Sequence, residues 1–333
     1  MTGAGLASGT ALDPDRNLAL ELVRATEAAA ISAARYVGRG DKNQVDGAAV
    51  DAMRPVLGSI GMRGVVVIGE GEKDEAPMLF NGEQVGNGSD PEVDIAVDPV
   101  DGTTAAAKGL PDAVAVVGLA ERGTMFDPGP CVYMHKLVVP GAAAGSVDPE
   151  APIADILATL ARALGKRQED LTVAVLDRPR HDHLVAEIRR AGAAVRSLLD
   201  GDVAGAIAVG QPGSAVDLLV GVGGTPEGVI AACALRCSDG EIFGRLQPRD
   251  EGERRAALDF GHDLDRILTT RDLVSGDDVF FGATGVTDGA LLHGVRFGEN
   301  SVVTESLSMR SRSGAVRVIE TRHDRSRSNL ISH

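Results

Sequence analysis

From residue 153 onward, short apolar runs alternate with amphipathic stretches in a rhythm that a layered α/β fold satisfies. Helical periodicity over 153–164, 181–191, 202–209 and 226–236 is interleaved with strand-like runs at 171–176, 194–199 and 216–220. Each segment carries an apolar face, and placing helices on both sides of a sheet buries them all. A helix over 250–268 and strands near 279–284, 302–310 and 315–321 complete this half. Upstream, Asp13-Pro14 reads as cap and first position of a long amphipathic helix through Leu18, Leu22, Val23, Ala29, Ala33 and Val37, stopped by Gly38-Arg39-Gly40. A second helix over 46–60 presents Val50, Met53, Leu57 and Ile60 on one face, with Pro55 as a kink or a first turn. Strands follow at 64–69, 93–97, 113–120 and 133–139, so this half reads as helices on a largely continuous sheet. The Ala-, Gly- and Pro-rich segment 141–152 is the candidate boundary. It divides an N-terminal α+β domain, 13–145, from a C-terminal α/β domain, 146–322, with a disordered lead-in at 1–12 and a frayed tail at 323–333.

The formal charge of −15, from 33 basic and 48 acidic residues, argues against nucleic acid or an anionic membrane as the main partner. No basic and apolar amino-terminal signal and no run of membrane-spanning length is present, and the three cysteines lack metal-site spacing; a cytoplasmic protein is expected. Cys233 and Cys237, four apart in an apolar helical pattern, read as packing residues. With 42 glycines and no Trp, the core must be built from Val, Leu, Ile and Ala around many tight turns.

Chemistry concentrates in Asp98-Pro99-Val100-Asp101-Gly102-Thr103-Thr104, which follows the apolar run 93–97. Pro99 restricts one backbone angle and Gly102 frees another, so Asp98 and Asp101 can face a common point while Thr103 opens the next segment with free N–H groups. Hard oxygen clusters of this kind hold Mg²⁺ or Mn²⁺, and free N–H groups hold phosphate; a plain surface turn is the alternative. A second acidic strand end, Ile68-Gly69-Glu70, lies upstream. If the two strands are neighbours, Glu70, Asp98 and Asp101 form a like-charge cluster that is costly without cations. The turn Gly221-Val222-Gly223-Gly224-Thr225-Pro226-Glu227-Gly228 has Thr225 as expected cap and Pro226 as first helical residue, and either receives phosphate or is structural. It matches neither a dinucleotide fingerprint nor a P-loop. Glu227 favours the helix dipole or faces a metal.

Taken together, Gly38-Arg39-Gly40-Asp41-Lys42-Asn43, Asp46-Gly47-Ala48-Ala49-Val50, Ile68-Gly69-Glu70-Gly71-Glu72-Lys73-Asp74-Glu75, the Asp98–Thr104 run, Arg178-Pro179-Arg180-His181 and Gly223–Gly228 resemble the bacterial class II fructose-1,6-bisphosphatases. The likeness runs from Asp15 to about Thr321. It implies a layered α-β-α-β-α sandwich, a homodimer or homotetramer, and two or more Mg²⁺ or Mn²⁺ ions. By the same resemblance the metal ligands fall on Asp46, Glu70, Asp98, Asp101 and Glu227. Thr103, oriented by Asp46 or Asp74, would position the attacking water. Sugar-phosphate contacts would fall on Asp101, Gly102, Thr103, Tyr133, Arg178, Pro179, Arg180, Asp200, Gly201, Asp202 and Gly224. The implied reaction is hydrolysis of the 1-phosphate of fructose 1,6-bisphosphate in gluconeogenesis. Sedoheptulose 1,7-bisphosphate is the nearest alternative substrate; an inositol monophosphate or a non-catalytic sugar-phosphate sensor fits less well. Departures from the family pattern are Asp101, where many relatives carry Glu, the small residues Ala105-Ala106-Ala107, and His135.

Overall fold

The computed structural model describes residues 18–70 and 79–327. The lead-in, the Asp13-Pro14 helix start, Asp74 with its neighbours, and the end of the tail lie outside them. The chain opens with α1 (Leu18–Ala34) and α2 (Lys42–Ser59), then β1 (Arg63–Ile68), β2 (Gln84–Val85), β3 (Glu92–Asp101), α3 (Thr103–Ala107), β4 (Val114–Glu121) and β5 (Tyr133–Val139). Next come α4 (Gly141–Ala144), α5 (Ile153–Leu164), β6 (Thr172–Leu176), α6 (Asp182–Arg190), β7 (Ala194–Leu198), α7 (Val203–Val209), β8 (Leu218–Gly224) and α8 (Thr225–Arg236). The remainder is β9 (Glu241–Leu246), α9 (Glu251–Phe260), α10 (Thr270–Leu273), β10 (Phe280–Gly285), β11 (Arg296–Phe297), β12 (Ser301–Arg310) and β13 (Ala315–Asp324).

These strands form two mixed sheets. One is ordered β11-β12-β10-β4-β3-β1-β2, with β13 along β12; the other is β7-β6-β8-β5-β9. Leu22 and Ala29 of α1 and Met53 and Leu57 of α2 pack on Ile95, Val97, Val117, Leu119 and Phe280, covering one face of the larger sheet. Its other face, through Val116, Phe281 and Leu307, meets α7 and α8 at Ile207, Val229 and Ile230, and these helices lie in turn on Met134, Val138 and Leu219 of the smaller sheet. Leu157, Leu160 and Ile188 of α5 and α6 close the last face against Leu137, Val139, Val173 and Val220. The result is an α-β-α-β-α sandwich. Period-two alternation is visible within β5, where Met134 and Val138 point to the middle layer while Leu137 and Val139 point outward.

Sheet membership does not follow the 141–152 segment. β5 precedes it yet belongs to the smaller sheet, and β10, β11, β12 and β13 return to the larger one, where β10 pairs with β4 from Phe280↔Leu119 to Gly285↔Val114. The expected helix over 250–268 ends at Phe260, because Gly261 turns left-handed at φ 102° and the chain then bridges to β9 at Gly244↔Leu268. Helix α2 starts earlier than expected, at Lys42, because the Asp41 side chain accepts hydrogen bonds from the N–H groups of Asn43 and Gln44 at 3.0 and 3.2 Å; Pro55 lies inside it. The short β2, β11 and α10, and the edge strand β9, carry too little periodicity to be read from sequence.

Among the described residues no helix is long and apolar enough to cross a membrane. All three cysteines are buried and free, and burial pushes the Cys233 thiol up to about 12, which fits a packing role. Gly118 of β4 lets α8 approach the sheet, since a Cβ there would stand 2.6 Å from Cys233 Sγ. Gly118→Val is therefore expected to lower unfolding stability by about 1–3 kcal/mol, measured by denaturant titration; an unchanged midpoint would contradict this contact.

Candidate active site

Neighbouring strands β1 and β3 run parallel with Ile68 opposite Ala96, so the end of β1 stands beside the middle of β3. Two residues further along each chain stand Glu70 and Asp98. The run after Asp98 remains in β3, but its pairing with β4 slips between Asp98 and Asp101, and the Val100 N–H donates to Asp98 Oδ1 at 2.9 Å. That irregularity takes up Pro99 and turns Asp101 inward, where it is buried at 3% exposure. Gly102, at φ 91°, then starts α3 with Thr103 as its first residue. The second turn of α2 and the first turn of α8 bring Asp46 and Glu227 to the same place. A cleft of about 370 Å³ is lined by Asp46, Glu70, Asp98, Asp101, Thr103 and Glu227 on one side, and by Tyr133, Arg178, Arg180 and the 200–202 turn on the other.

The electrostatics are those of crowded acids. Burial first, then Asp46 and Glu227, push the Glu70 carboxyl up to about 7. Asp98 is raised well above the carboxylate range by burial and by Asp101, Glu70, Glu227 and Asp46. Asp101 is raised by burial, then by Asp202 and Glu227, against the opposing Val203 N–H and Lys136. Burial also raises Asp46 and Glu227. Asp46 Oδ1 and Glu227 Oε2 are buried without a hydrogen-bond partner among the described residues. Such a set of orphaned hard oxygens suits Mg²⁺ or Mn²⁺. Among the described residues no three acidic, histidine or cysteine side chains already close into a cation cage. The ring is open, and a bound ion would have to draw its members inward.

The opposite wall is more tightly tied than its sequence suggests. Arg178 donates to the carbonyls of Asp177 and Leu199 at 2.9 and 2.6 Å and to Asp200 Oδ1 at 2.9 Å. Asp200 Oδ2 in turn accepts from the Thr104 N–H at 2.9 Å, which pins the start of α3 to the smaller sheet. Exposed Arg180 donates to the Val222 carbonyl at 2.6 Å and lies over the Tyr133 ring at 5.5 Å, rather than pairing with Asp182 or Glu187. Pro179, next to both arginines, opens the short turn Pro179–His181 and does not line the cleft. The Thr103 hydroxyl makes no hydrogen bond to Asp46 among the described residues, and Asp74 lies outside them.

The Gly-rich turn serves close approach. A Cβ at Gly224 would fall 1.8 Å from Glu227 Oε2, one at Gly223 would fall 2.1 Å from Asp202 Oδ2, and one at Gly201 would fall 2.7 Å from Asp101 Oδ2. The cap of α8 is Gly224, and Thr225 is already helical, contrary to the expected cap at Thr225; β8 extends through Gly224, so the helix starts one residue earlier.

Two residues without an assigned role also shape the site. Buried His181 bridges Leu176 O, to which Nδ1 donates at 2.8 Å, and the Val222 N–H, which donates to Nε2 at 2.8 Å; this pairing needs the neutral ring, and burial holds its pKa down. Lys136, at 1% exposure, donates to both oxygens of Asp202 at 2.8 and 2.7 Å. Its only sequence signal is a charge at an inward-facing position of an apolar strand.

Comparison with known proteins places the chain in a family. A family model described as bacterial fructose-1,6-bisphosphatase, glpX-encoded, matches residues 16–323. Fructose-1,6-bisphosphatase 1 class 2 of Escherichia coli strain K12 is 43% identical over 321 residues, covering 92% of this chain and 95% of that protein. The class 2 fructose-1,6-bisphosphatases of Escherichia coli O6:H1 and Shigella flexneri match at the same 43% identity and coverage. A chain matched over nearly its whole length in this way belongs to the glpX-encoded bacterial fructose-1,6-bisphosphatase family.

Proposed function

We propose that this protein hydrolyses the 1-phosphate of fructose 1,6-bisphosphate to fructose 6-phosphate and phosphate, as a cytoplasmic, divalent-cation-dependent enzyme of gluconeogenesis. Family membership supports the reaction. The observation that carries the site is the ring of Asp46, Glu70, Asp98, Asp101 and Glu227, with two buried oxygens unpartnered among the described residues, facing an arginine-bearing wall across one cleft. When bound, Mg²⁺ or Mn²⁺ would neutralise charge that builds on the transferring phosphoryl group and make a water more acidic.

The chain's own residues supply position. Thr103, at the start of α3, lies beside Asp98 and Asp101 on the cleft wall, where its hydroxyl can orient the attacking water. The N–H groups of Gly102 and Thr103 face an incoming phosphate oxygen as a helix start does. Across the cleft, Arg180 and the Tyr133 ring beneath it take the distal phosphate and a sugar face. Arg178 is held by three acceptors, so it presents a fixed charge to that phosphate. Two phosphates on one sugar match a cleft with two phosphate-facing walls, and this favours a bisphosphate over an inositol monophosphate. Sedoheptulose 1,7-bisphosphate fits the same chemistry.

Metal-stripped protein is expected to release one phosphate per fructose 1,6-bisphosphate only after Mg²⁺ or Mn²⁺ is restored, and Asp98→Asn to release none. Release without added cation, or undiminished release by the variant, would refute the site. Steady-state kinetics of two further variants separate the walls. Thr103→Ala is expected to lower kcat by about 10²-fold or more, whereas Arg180→Ala should mainly raise KM, by roughly tenfold for a lost hydrogen bond to a charged group.

A third test needs no substrate. A carboxyl whose folded pKa is raised adds stability that is present below its unfolded value and lost as pH rises through the folded one. With Glu70 raised from 4.5 to about 7, the thermal midpoint of the metal-stripped protein should fall across that interval, and Mn²⁺ should flatten the decline. A midpoint with the same pH dependence in both forms would count against cation binding at this ring.

A further inference from the structure

Asp202 lines the cleft within reach of the acidic ring, and it is among the residues expected to meet the sugar. Its carboxylate is already engaged. Lys136 Nζ takes both oxygens at 2.8 and 2.7 Å, and the two side chains are 1% and 6% exposed. The lysine comes from the middle of β5, and its stem runs past Gly228, where an added Cβ would stand 3.7 Å from Cε. Gly223 has no side chain to push between the partners; a Cβ there would stand 2.1 Å from Asp202 Oδ2 and 3.0 Å from Lys136 Nζ. The backbone N–H of Val203, the residue after Asp202, donates to Asp101 Oδ2 at 3.0 Å, so the pair also stands directly behind a ring member.

A buried ion pair is a poor source of stability, because desolvating two charges offsets much of their attraction and an apolar pair would pack as well. Its placement suggests another role. Without the ammonium, the Asp202 carboxylate would be a sixth acid beside Asp101 and Glu227, free to rotate toward a cation. We propose that Lys136 is a positioning residue that withholds Asp202 from cation binding and limits the ring to Asp46, Glu70, Asp98, Asp101 and Glu227. The directions of the neighbouring shifts agree, since Lys136 lowers and Asp202 raises both Asp101 and Glu227. An over-coordinated ion gives up ligands reluctantly to substrate oxygens, so sequestering Asp202 keeps positions open for phosphate.

This inference rests on the cation-site reading above, and the test separates the two. Mn²⁺ is titrated into metal-stripped protein by calorimetry, without sugar, for wild type, Lys136→Met, Lys136→Gln and Lys136→Arg, with circular dichroism to establish folding. Wild type and Lys136→Arg are expected to bind alike. Lys136→Met should bind about tenfold more tightly, because a free carboxylate is added beside a dication at low dielectric, and its kcat should fall while Mn²⁺ affinity rises. If Lys136→Met does not fold, Lys136→Gln, which keeps one hydrogen bond to Asp202, decides the question by the same criterion. Weaker or unchanged Mn²⁺ binding in the folded neutral variant would overturn the role of Lys136 alone, since a merely structural strut loosens the site when cut. Absence of Mn²⁺ binding in wild type would overturn the cation-site reading together with this one.

Discussion

Mutual repulsion among carboxylates is the constraint to which the rest of this molecule is fitted. Glu70 follows β1, Asp98 lies in the neighbouring parallel β3, Asp101 follows a slipped register, and Asp46 and Glu227 arrive on the second turn of α2 and the first turn of α8. Burial pushes each toward its neutral form, and neighbouring acids add to this for Glu70, Asp98, Asp101 and Glu227. No chain gains stability from assembling such a set. The packing of both sheets around α7 and α8 supplies the rigidity that holds it, with Val229, Ile230, Phe281 and Leu219 in one continuous core beneath the cleft.

The smaller sheet does more than close the sandwich. Asp200, in the turn after β7, accepts the Thr104 N–H and holds Arg178, and Val203 at the start of α7 donates to Asp101, so the positions of α3 and Asp101 depend on bonds to the segment that leaves β7. Gly201 is a point of close approach in that contact, and Gly201, Gly223 and Gly224 each leave room for an acidic side chain rather than only for a turn. Acids and arginines thus face one another across a single cleft that elements from both sheets line.

Most of the elements were legible because their periodicity is strong. The helix at 153–164 and the strand at 133–139 fall where the residues predict, and alternation in β5 places Met134 and Val138 opposite Leu137 and Val139. Helix ends were less legible. Asp41 caps α2 ahead of the expected start, and Gly261 stops α9 well before 268, since capping geometry outweighs the apolar pattern at both ends. Strand β9 is harder to read because Gly244 takes one of its three buried positions and Phe243 a half-buried one, which weakens a period-two signal in the sequence. Lys136 carries no local motif and His181 no role that spacing reveals, for a different reason: a buried polar residue has meaning only through its partner, and Asp202 and Val222 are distant in sequence.

By itself the sequence determined the layered α/β class, the family, and the acids and arginines that could carry phosphate chemistry, because motif spacing and side-chain chemistry are local properties. Tertiary structure alone decided that β10 to β13 return to the first sheet and that Arg180 lies over Tyr133. It also decided that Arg178 and Asp202 are held by protein partners before any substrate arrives. Those outcomes depend on which buried surfaces and polar groups meet across tens of residues of chain, and for β10 on β4 across well over a hundred, and pairing at that range is set by packing rather than by local pattern.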